Sequence, residues 1–315
     1  MIKLRQYYKV LGSPPFQLLD RYIFWISRRN YNYEVLLHKF FLKIRKMKKT
    51  SEIPIILIGG CTRSGTTLAR ALIGMHPKIA CPQKECLIYN IKTPHFLEST
   101  FDFSTEEINH LKTKFNEDNL TFAERVISLY LKKSNKEFIA LKAPLYVTVV
   151  NELFKIFPNM KFIHMIRDGR DVACSLKTYP NKEVIGDKIY QINSRNPLSW
   201  CIRKWITFMA AGIKQRGSKG YIEIKYEDLV NSPVETMKNL FEFLELDMPS
   251  KDQLLSYYKY EIDIKHPQNI EIGKPIYNKA IERWKRDMSK SEKAYFKRVA
   301  GSLLIKTGYE KDFNW

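Results

Sequence analysis

The residues best equipped for chemistry lie in one short stretch, Gly60-Cys61-Thr62-Arg63-Ser64-Gly65-Thr66-Thr67. An apolar run, Ile53 to Ile58, leads into it, and Leu68-Ala69-Arg70-Ala71-Leu72 leaves it at helical spacing. A strand-loop-helix turn of this kind presents backbone N–H groups that have no partners within the helix. The helix dipole adds partial positive charge at the same place. An anion is the natural occupant. In the nucleoside-triphosphate version of the motif, Gly-x4-Gly is followed by Lys and then Ser or Thr. Here Gly60 and Gly65 keep the spacing, but Thr66 holds the lysine position and the cation inside the loop is Arg63. That placement suits a phosphate or sulfonate oxygen reached from the loop, and it favours a nucleotide other than ATP. A plain Gly-rich strand-helix turn would have the same outline.

A second constellation follows Lys161-Phe162-Ile163-His164-Met165-Ile166, which ends in Arg167-Asp168-Gly169-Arg170-Asp171 and then a helix carrying Cys174 and Ser175. Ligands of open parallel sheets gather at the carboxyl ends of strands. Arg167 at such an end and Ser175 in the next helix are placed to grip one anionic group, the guanidinium fork supplying paired donors. A surface Arg-Asp pair would read the same way in isolation.

The elements that must position these groups are those of an α/β protein. Short apolar runs alternate with helical patterns from Ile53 onward, which predicts a P-loop-like parallel sheet flanked by helices. The expected strands are Ile53 to Ile58, Phe138 to Lys142, Lys161 to Ile166 and Tyr221 to Tyr226. Helices are expected at Thr66 to Met75, Tyr146 to Phe157, Asp171 to Thr178, Leu198 to Gln215 and Pro233 to Leu244. Pro82 to Asn119 reads as less regular and long enough for acceptor-binding loops. Residues 1–50 differ from the rest, mixing Tyr7, Tyr8, Phe16, Tyr22, Phe24 and Trp25 with the cations Lys43, Arg45, Lys46, Lys48 and Lys49. We read them as a basic, aromatic, helical segment preceding an α/β domain at 51–315. Packing on that domain and peripheral contact with a membrane surface both suit its composition.

At 315 residues and 44% hydrophobic content the chain can bury a substantial core, which excludes a disordered chain. Lys and Arg outnumber Asp and Glu by 53 to 33, giving a charge of +20 that attracts anionic partners or serves as a solvated surface. The five cysteines lack C-x2-C spacing and histidine partners at zinc distance, so a reducing compartment without structural metal is expected. No apolar run approaches the ~18 residues of a membrane span, and no hydrophobic signal core opens the chain. The expected location is therefore cytoplasmic, peripheral to a membrane if the basic segment binds one.

Taken together, the loop Cys61 to Thr67 and the Arg167/Ser175 pair resemble the two donor-binding motifs of the sulfotransferase family, its 5′-phosphosulfate loop and its 3′-phosphate site. Ile224-Lys225-Tyr226-Glu227-Asp228-Leu229, with Pro233 and an amphipathic helix after it, resembles the family segment that carries a donor-contacting tyrosine. Lys274-Pro275 and Arg283-Trp284-Lys285 are similar to its C-terminal donor-covering loop and the helix beyond. The resemblance spans about residues 53–310. His76-Pro77, Cys201-Ile202-Arg203-Lys204-Trp205 and Lys274-Pro275 are closer to the protein-tyrosine and glycan branches than to the small-molecule branch. The small-molecule enzymes carry a histidine shortly after the lysine matching Lys142, where this chain has Ala143 and Pro144.

The resemblance implies a sulfuryl donor, 3′-phosphoadenosine 5′-phosphosulfate, and a hydroxyl-bearing acceptor such as an acidic peptide or a glycan, with no nucleic acid and no metal. Arg63, Ser64, Gly65, Thr66 and Thr67 would surround the 5′ end of the donor, and Arg167 and Ser175 its 3′-phosphate. Tyr226, Arg283 and Lys285 would add contacts. Glu85 is the candidate base for the acceptor hydroxyl, with a desolvating wall expected beside it, and His95 is the alternative. Arg63 and Lys142 would neutralise charge on the leaving phosphate and the sulfonate. A P-loop kinase or NTPase, and a non-enzymatic nucleotide- or polyanion-binding module, are the competing readings. Magnesium-dependent ATP turnover would mark the first, and nucleotide binding without transfer the second.

Overall fold

The computed structural model describes residues 51–88, 91–178, 181–185, 188–192, 196–260 and 270–315. The expected segment at 1–50 lies outside them. The chain divides into two compact units. One takes in the described residues of Lys39–Arg167 and Phe208–Lys279, the other those of Asp168–Thr207 and Ala280–Trp315.

The first unit is built on a parallel five-stranded sheet. Its strands are β1 (Ile55–Gly60), β2 (Ile79–Ala80), β3 (Phe138–Lys142), β4 (Lys161–Ile166) and, after the excursion through the second unit, β7 (Tyr221–Lys225), in the order β2-β3-β1-β4-β7. β1 is buried along its whole length because neighbours pair with it on both sides and both of its faces are covered. Ile56 and Ile58 point into a cluster with Leu72 and Ile73 of helix α1 (Thr66–Ile73) and Met237, Leu240 and Phe241 of an amphipathic helix at Pro233–Leu244. On the opposite face, a side chain at Gly59 would meet the Phe162 ring at 2.7 Å and the Val147 amide at 2.9 Å.

Between β2 and β3 the irregular region expected at Pro82–Asn119 holds two helices, α2 (Pro94–Phe101) and α3 (Thr105–Lys112), followed by α4 (Asn119–Ser134). Their start signals are local. Thr93 accepts from the Phe96 amide with Pro94 next in the chain, Ser104 and Glu107 form a reciprocal capping box, and Asp118 accepts from Leu120 and Thr121. α2 and α3 are eight residues each and polar outside, which obscured their periodicity, whereas α4 is longer and buries Leu120, Ala123, Val126 and Ile127. After β3 the helix expected at Tyr146–Phe157 splits into a 3-10 turn, Pro144–Val149, and α5 (Val150–Ile156). Tyr226, expected at a strand end, instead opens helix α8 (Tyr226–Asn231).

The second unit contains α6 (Gly169–Lys177), an antiparallel hairpin of β5 (Asn181–Ile185) and β6 (Lys188–Ile192), and the first part of α7 (Leu198–Gly212). It also contains α11 (Trp284–Asp287) and α12 (Lys290–Lys306); α9 is Pro233–Leu244 and α10 is Lys251–Leu255. Gly169 lies so close to the Trp205 ring that a side chain there would be 2.7 Å or less from three of its atoms. Trp205 in turn packs on Phe296 with ring centroids 5.9 Å apart. Asp171 accepts from the amides of Glu282 at 2.8 Å and Trp284 at 2.9 Å, tying α6 to the start of α11.

Candidate active site

The loop after β1 makes a sharp reversal in which the Ser64 amide donates to the Cys61 carbonyl at 3.0 Å. Arg63 takes the left-handed backbone conformation, φ 77°, and so does Gly65, φ 87°. A Cβ at Gly65 would stand 2.6 Å from the Tyr226 ring, so only glycine fits between loop and ring. Gly65 is also the N-cap of α1, where no side chain caps the helix and no acidic residue occupies the first turn. The opening amides of α1 are thus left to an external acceptor, and the dipole favours a negative one. Ser64 is fully buried and its hydroxyl has no hydrogen-bond partner within the described residues. Buried polar groups are nearly always satisfied, so this orphan fits a bound anion.

Arg167, 5% exposed at the end of β4, joins this loop. Its Nη1 donates to the Arg63 carbonyl at 2.8 Å, and its guanidinium lies 4.2 Å from the centre of the Tyr226 ring. Gly65, Arg63, Arg167 and Tyr226 therefore form one cluster, although 104 residues separate the two arginines. The pairing of β1 with β4, Gly60 opposite Met165, brings them together. Thr66 is buried in the same turn and Thr67 partly buried.

On the other side of β1, Ile58 pairs with Lys142, so Lys142 ends its strand beside the entry to the loop. Its side chain is 5% accessible, and Nζ donates to Glu85 Oε1 at 3.0 Å. The Glu85 side chain is 48% accessible, so the expected desolvating wall is absent and a buried ammonium stands in its place. The segment that carries Glu85 is held firmly. The Cys86 amide donates to the Lys142 carbonyl at 3.1 Å, the buried Tyr146 hydroxyl donates to the Cys86 carbonyl, and the Ile88 amide donates to that hydroxyl at 3.0 Å. Sequence reading passed over Tyr146, whose only signal was its place in the turn after β3. Burial pushes the Cys86 thiol far above its usual range, which leaves it a packing residue.

The remaining expected site residues belong to other elements. His95 is in the first turn of α2 and exposed rather than in a loop. Ser175 is buried in α6 of the second unit. Arg283 and Lys285 belong to that unit too, where Arg283 Nε donates to Asp287 at 2.8 Å and Lys285 pairs with Glu282 at 2.6 Å. The acidic and basic residues after Arg167 have structural duties. Asp168 caps α6 and holds Arg170, which also pairs with Glu310 and is stacked 3.8 Å from Trp284 and 4.4 Å from Trp315. His76, noted with Pro77, accepts from the Lys78 amide and bonds the Asp247 carbonyl. Burial lowers its pKa, partly offset by that carbonyl.

Among the described residues no group of His, Cys, Asp and Glu is gathered to hold a metal ion, the five cysteines are unbridged, and no helix is long and apolar enough to cross a membrane.

An uncapped helix start behind a glycine-framed turn, at the carboxyl end of the central strand of a parallel sheet, defines a P-loop-like α/β protein built to hold a phosphate or sulfate group. Residues 54–250 match the model of the sulfotransferase family, and the chain belongs to that family. It is 28% identical over 253 residues to a protein-tyrosine sulfotransferase of Drosophila melanogaster, covering 74% of this chain and 47% of that protein. Against protein-tyrosine sulfotransferase A of Caenorhabditis elegans it is 28% identical over 280 residues, 83% of this chain and 68% of the relative. The match thus spans about half the length of the Drosophila protein. The fold is shared with a sulfotransferase domain of the Synechococcus PCC 7002 olefin synthase, at TM-score 0.53 and 20% identity over 80% of this chain and 96% of that one. A sulfotransferase domain from the curacin biosynthetic pathway aligns at TM-score 0.55 and 19% identity, covering 81% and 98%.

Proposed function

We propose that this chain transfers a sulfuryl group from 3′-phosphoadenosine 5′-phosphosulfate to a hydroxyl acceptor, a tyrosine of a protein substrate. The observation that carries the reading is the uncapped start of α1, with the orphaned Ser64 hydroxyl inside it and Arg167 locked to the Arg63 carbonyl. Membership of the family and the names of the curated relatives support the reaction and the acceptor.

In this reading the loop amides, Ser64, Thr66 and Thr67 hold the 5′ end of the donor. Arg167 takes its 3′-phosphate and Tyr226 lines the donor; the family resemblance adds Ser175, Arg283 and Lys285, which belong to the second unit. Arg63 stands by as a fixed charge for the departing phosphate, since arginine does not give up its proton. The Glu85–Lys142 ion pair supplies the remaining chemistry. Glu85 accepts the proton of the acceptor hydroxyl, and that neutralisation releases the Lys142 ammonium from its carboxylate. The freed charge is then available to the oxygens of the transferring group at the moment their charge grows. Base and electrostatic stabiliser are thereby coupled through one 3.0 Å contact.

Calorimetry with 3′,5′-bisphosphorylated against 5′-monophosphorylated adenosine, followed by transfer of labelled sulfate to a tyrosine peptide, tests the proposal. Preference for the bisphosphate together with labelled peptide is the expected result. Equal binding of the two nucleotides, or a preference for ATP, would overturn it.

A further inference from the structure

The second unit carries a basic groove along α12, built from residues that the transfer reaction does not use. Lys290, Lys293 and Lys297 fall at i, i+3 and i+7 along α12, with Arg298 adjacent, so they share one helix face. Phe313 and Trp315 close the groove, whose volume is about 470 Å³. Phe313 is 52% exposed. A Cβ at Gly301 would stand 2.7 Å from its ring, so that glycine lets the C-terminal segment lie against the helix.

Among the described residues the charges of this face have no carboxylate partner. Other cations of the unit do have acidic partners, as in Lys177–Glu292, Arg283–Asp287 and Lys285–Glu282. None of Lys290, Lys293, Lys297 and Arg298 is paired with a carboxylate among the described residues. Three of them rest on aromatic faces instead, Lys293 at 5.4 Å from the Trp284 ring, Lys297 at 4.9 Å from the Trp315 ring and Arg298 at 5.3 Å from the Tyr295 ring. Lys293 Nζ also donates to the Lys285 carbonyl at 2.7 Å. Rings and carbonyl hold these long side chains in place, which reduces the entropy lost when a ligand engages them.

We infer that this groove is a docking site for an extended acidic peptide segment that carries an apolar side chain among its carboxylates. From Lys290 to Arg298 the helix rises roughly 12 Å, the span of about four extended residues and too long for a single phosphate. The cations meet the carboxylates, while the aromatic rings and lysine stems offer an apolar floor that a bare polyanion would leave unused. A bilayer surface would meet the lysines with headgroup charge, whereas a peptide also brings a side chain to the ring floor. The inference goes beyond the transfer reaction and does not depend on it.

Fluorescence anisotropy of a labelled peptide with four acidic residues around one leucine tests it on the full chain. The peptide binds the unaltered protein, and the charge reversals K293E/K297E weaken binding more than tenfold; Phe313→Ala weakens it severalfold. Should the reversal unfold the chain by circular dichroism, Lys290→Gln/Arg298→Gln, at exposed positions, carries the same comparison. Equal peptide affinity in these variants would overturn the inference. So would tighter binding of phosphatidylserine vesicles or of a sulfated oligosaccharide to the same residues. Because the readout is binding, its failure leaves the nucleotide measurements untouched, and theirs leaves this one standing.

Discussion

Glu85 and Lys142 form a pair whose members differ sharply in exposure, and that asymmetry determines what substitution should do. Removing the Glu85 charge with Glu85→Gln keeps the shape of the side chain but removes the proton acceptor. Turnover is expected to fall about 10²- to 10⁴-fold with nucleotide affinity unchanged. Single-turnover transfer alongside calorimetry checks this, and retained turnover refutes the assignment. Arg167→Ala removes charge-assisted donors of the kind worth about 1.5–3 kcal/mol each, so the 3′,5′-bisphosphate is expected to bind at least about tenfold more weakly. The monophosphate should lose far less, and equal losses would remove Arg167 from the 3′ site. Gly65→Ala forces a Cβ to 2.6 Å from the Tyr226 ring at φ 87°. A left-handed alanine alone costs about 1–2 kcal/mol, and displacement of the ring would also disturb Arg167. Weaker nucleotide binding with a lower melting temperature is the expected signature.

At the scale of elements, β1 holds the site together by lying between β3, which ends in Lys142, and β4, which ends beside Arg167. Gly60 makes that close approach possible. Its φ is 146°, and a side chain there would collide with the Met165 carbonyl. Gly60→Ala therefore strains β1 or pushes β4 away, and a loss of about 2 kcal/mol or more is expected from its positive φ and the clash together. In the second unit α12 starts with a reciprocal box between Ser289 and Glu292, and Glu292 also holds Lys177. Ser289→Ala should cost about 1 kcal/mol by urea denaturation. The strands β3 and β4 were legible to the residue because continuous apolar runs bounded by polar residues leave little choice. The helices α2 and α3 were hidden because their apolar positions are few, although Ser104 and Glu107 carried a start signal three residues apart.

For the molecule as a whole, buried imidazoles contribute to the response to mild acid. His164 on β4 is fully buried, bonded through Nδ1 to the hydroxyl of Tyr221 on β7 at 2.6 Å, and burial pushes its pKa down to about 4. The Tyr221 hydroxyl donates to Glu223, which Arg216 grips at 2.9 and 2.7 Å. A histidine with a depressed folded pKa binds its proton more readily when unfolded. Its contribution is therefore complete above the unfolded pKa of 6.5 and is lost as pH falls towards about 4. Between about pH 7 and pH 5 the cost is about 2 kcal/mol for His164, and His76, lowered in the same direction, adds to it. Urea midpoints across that range measure the effect. A His164→Phe variant that keeps the full pH dependence would contradict the assignment.

From the residues alone came the parallel α/β plan, the loop between Gly60 and Gly65, the strand ends at Lys142 and Arg167, and the family. All of these are written in local patterns: an apolar run, a glycine at a turn, a cation where a strand stops. What tertiary structure decided are the partnerships, Glu85 with Lys142 across 57 positions and Arg63 with Arg167 across 104. It also placed the Tyr226 ring on Gly65 and turned Asp168, Arg170 and Asp171 to structural duty. Strand order selects such contacts, and strand order follows from which apolar faces can be buried together, a property of the whole chain rather than of any segment.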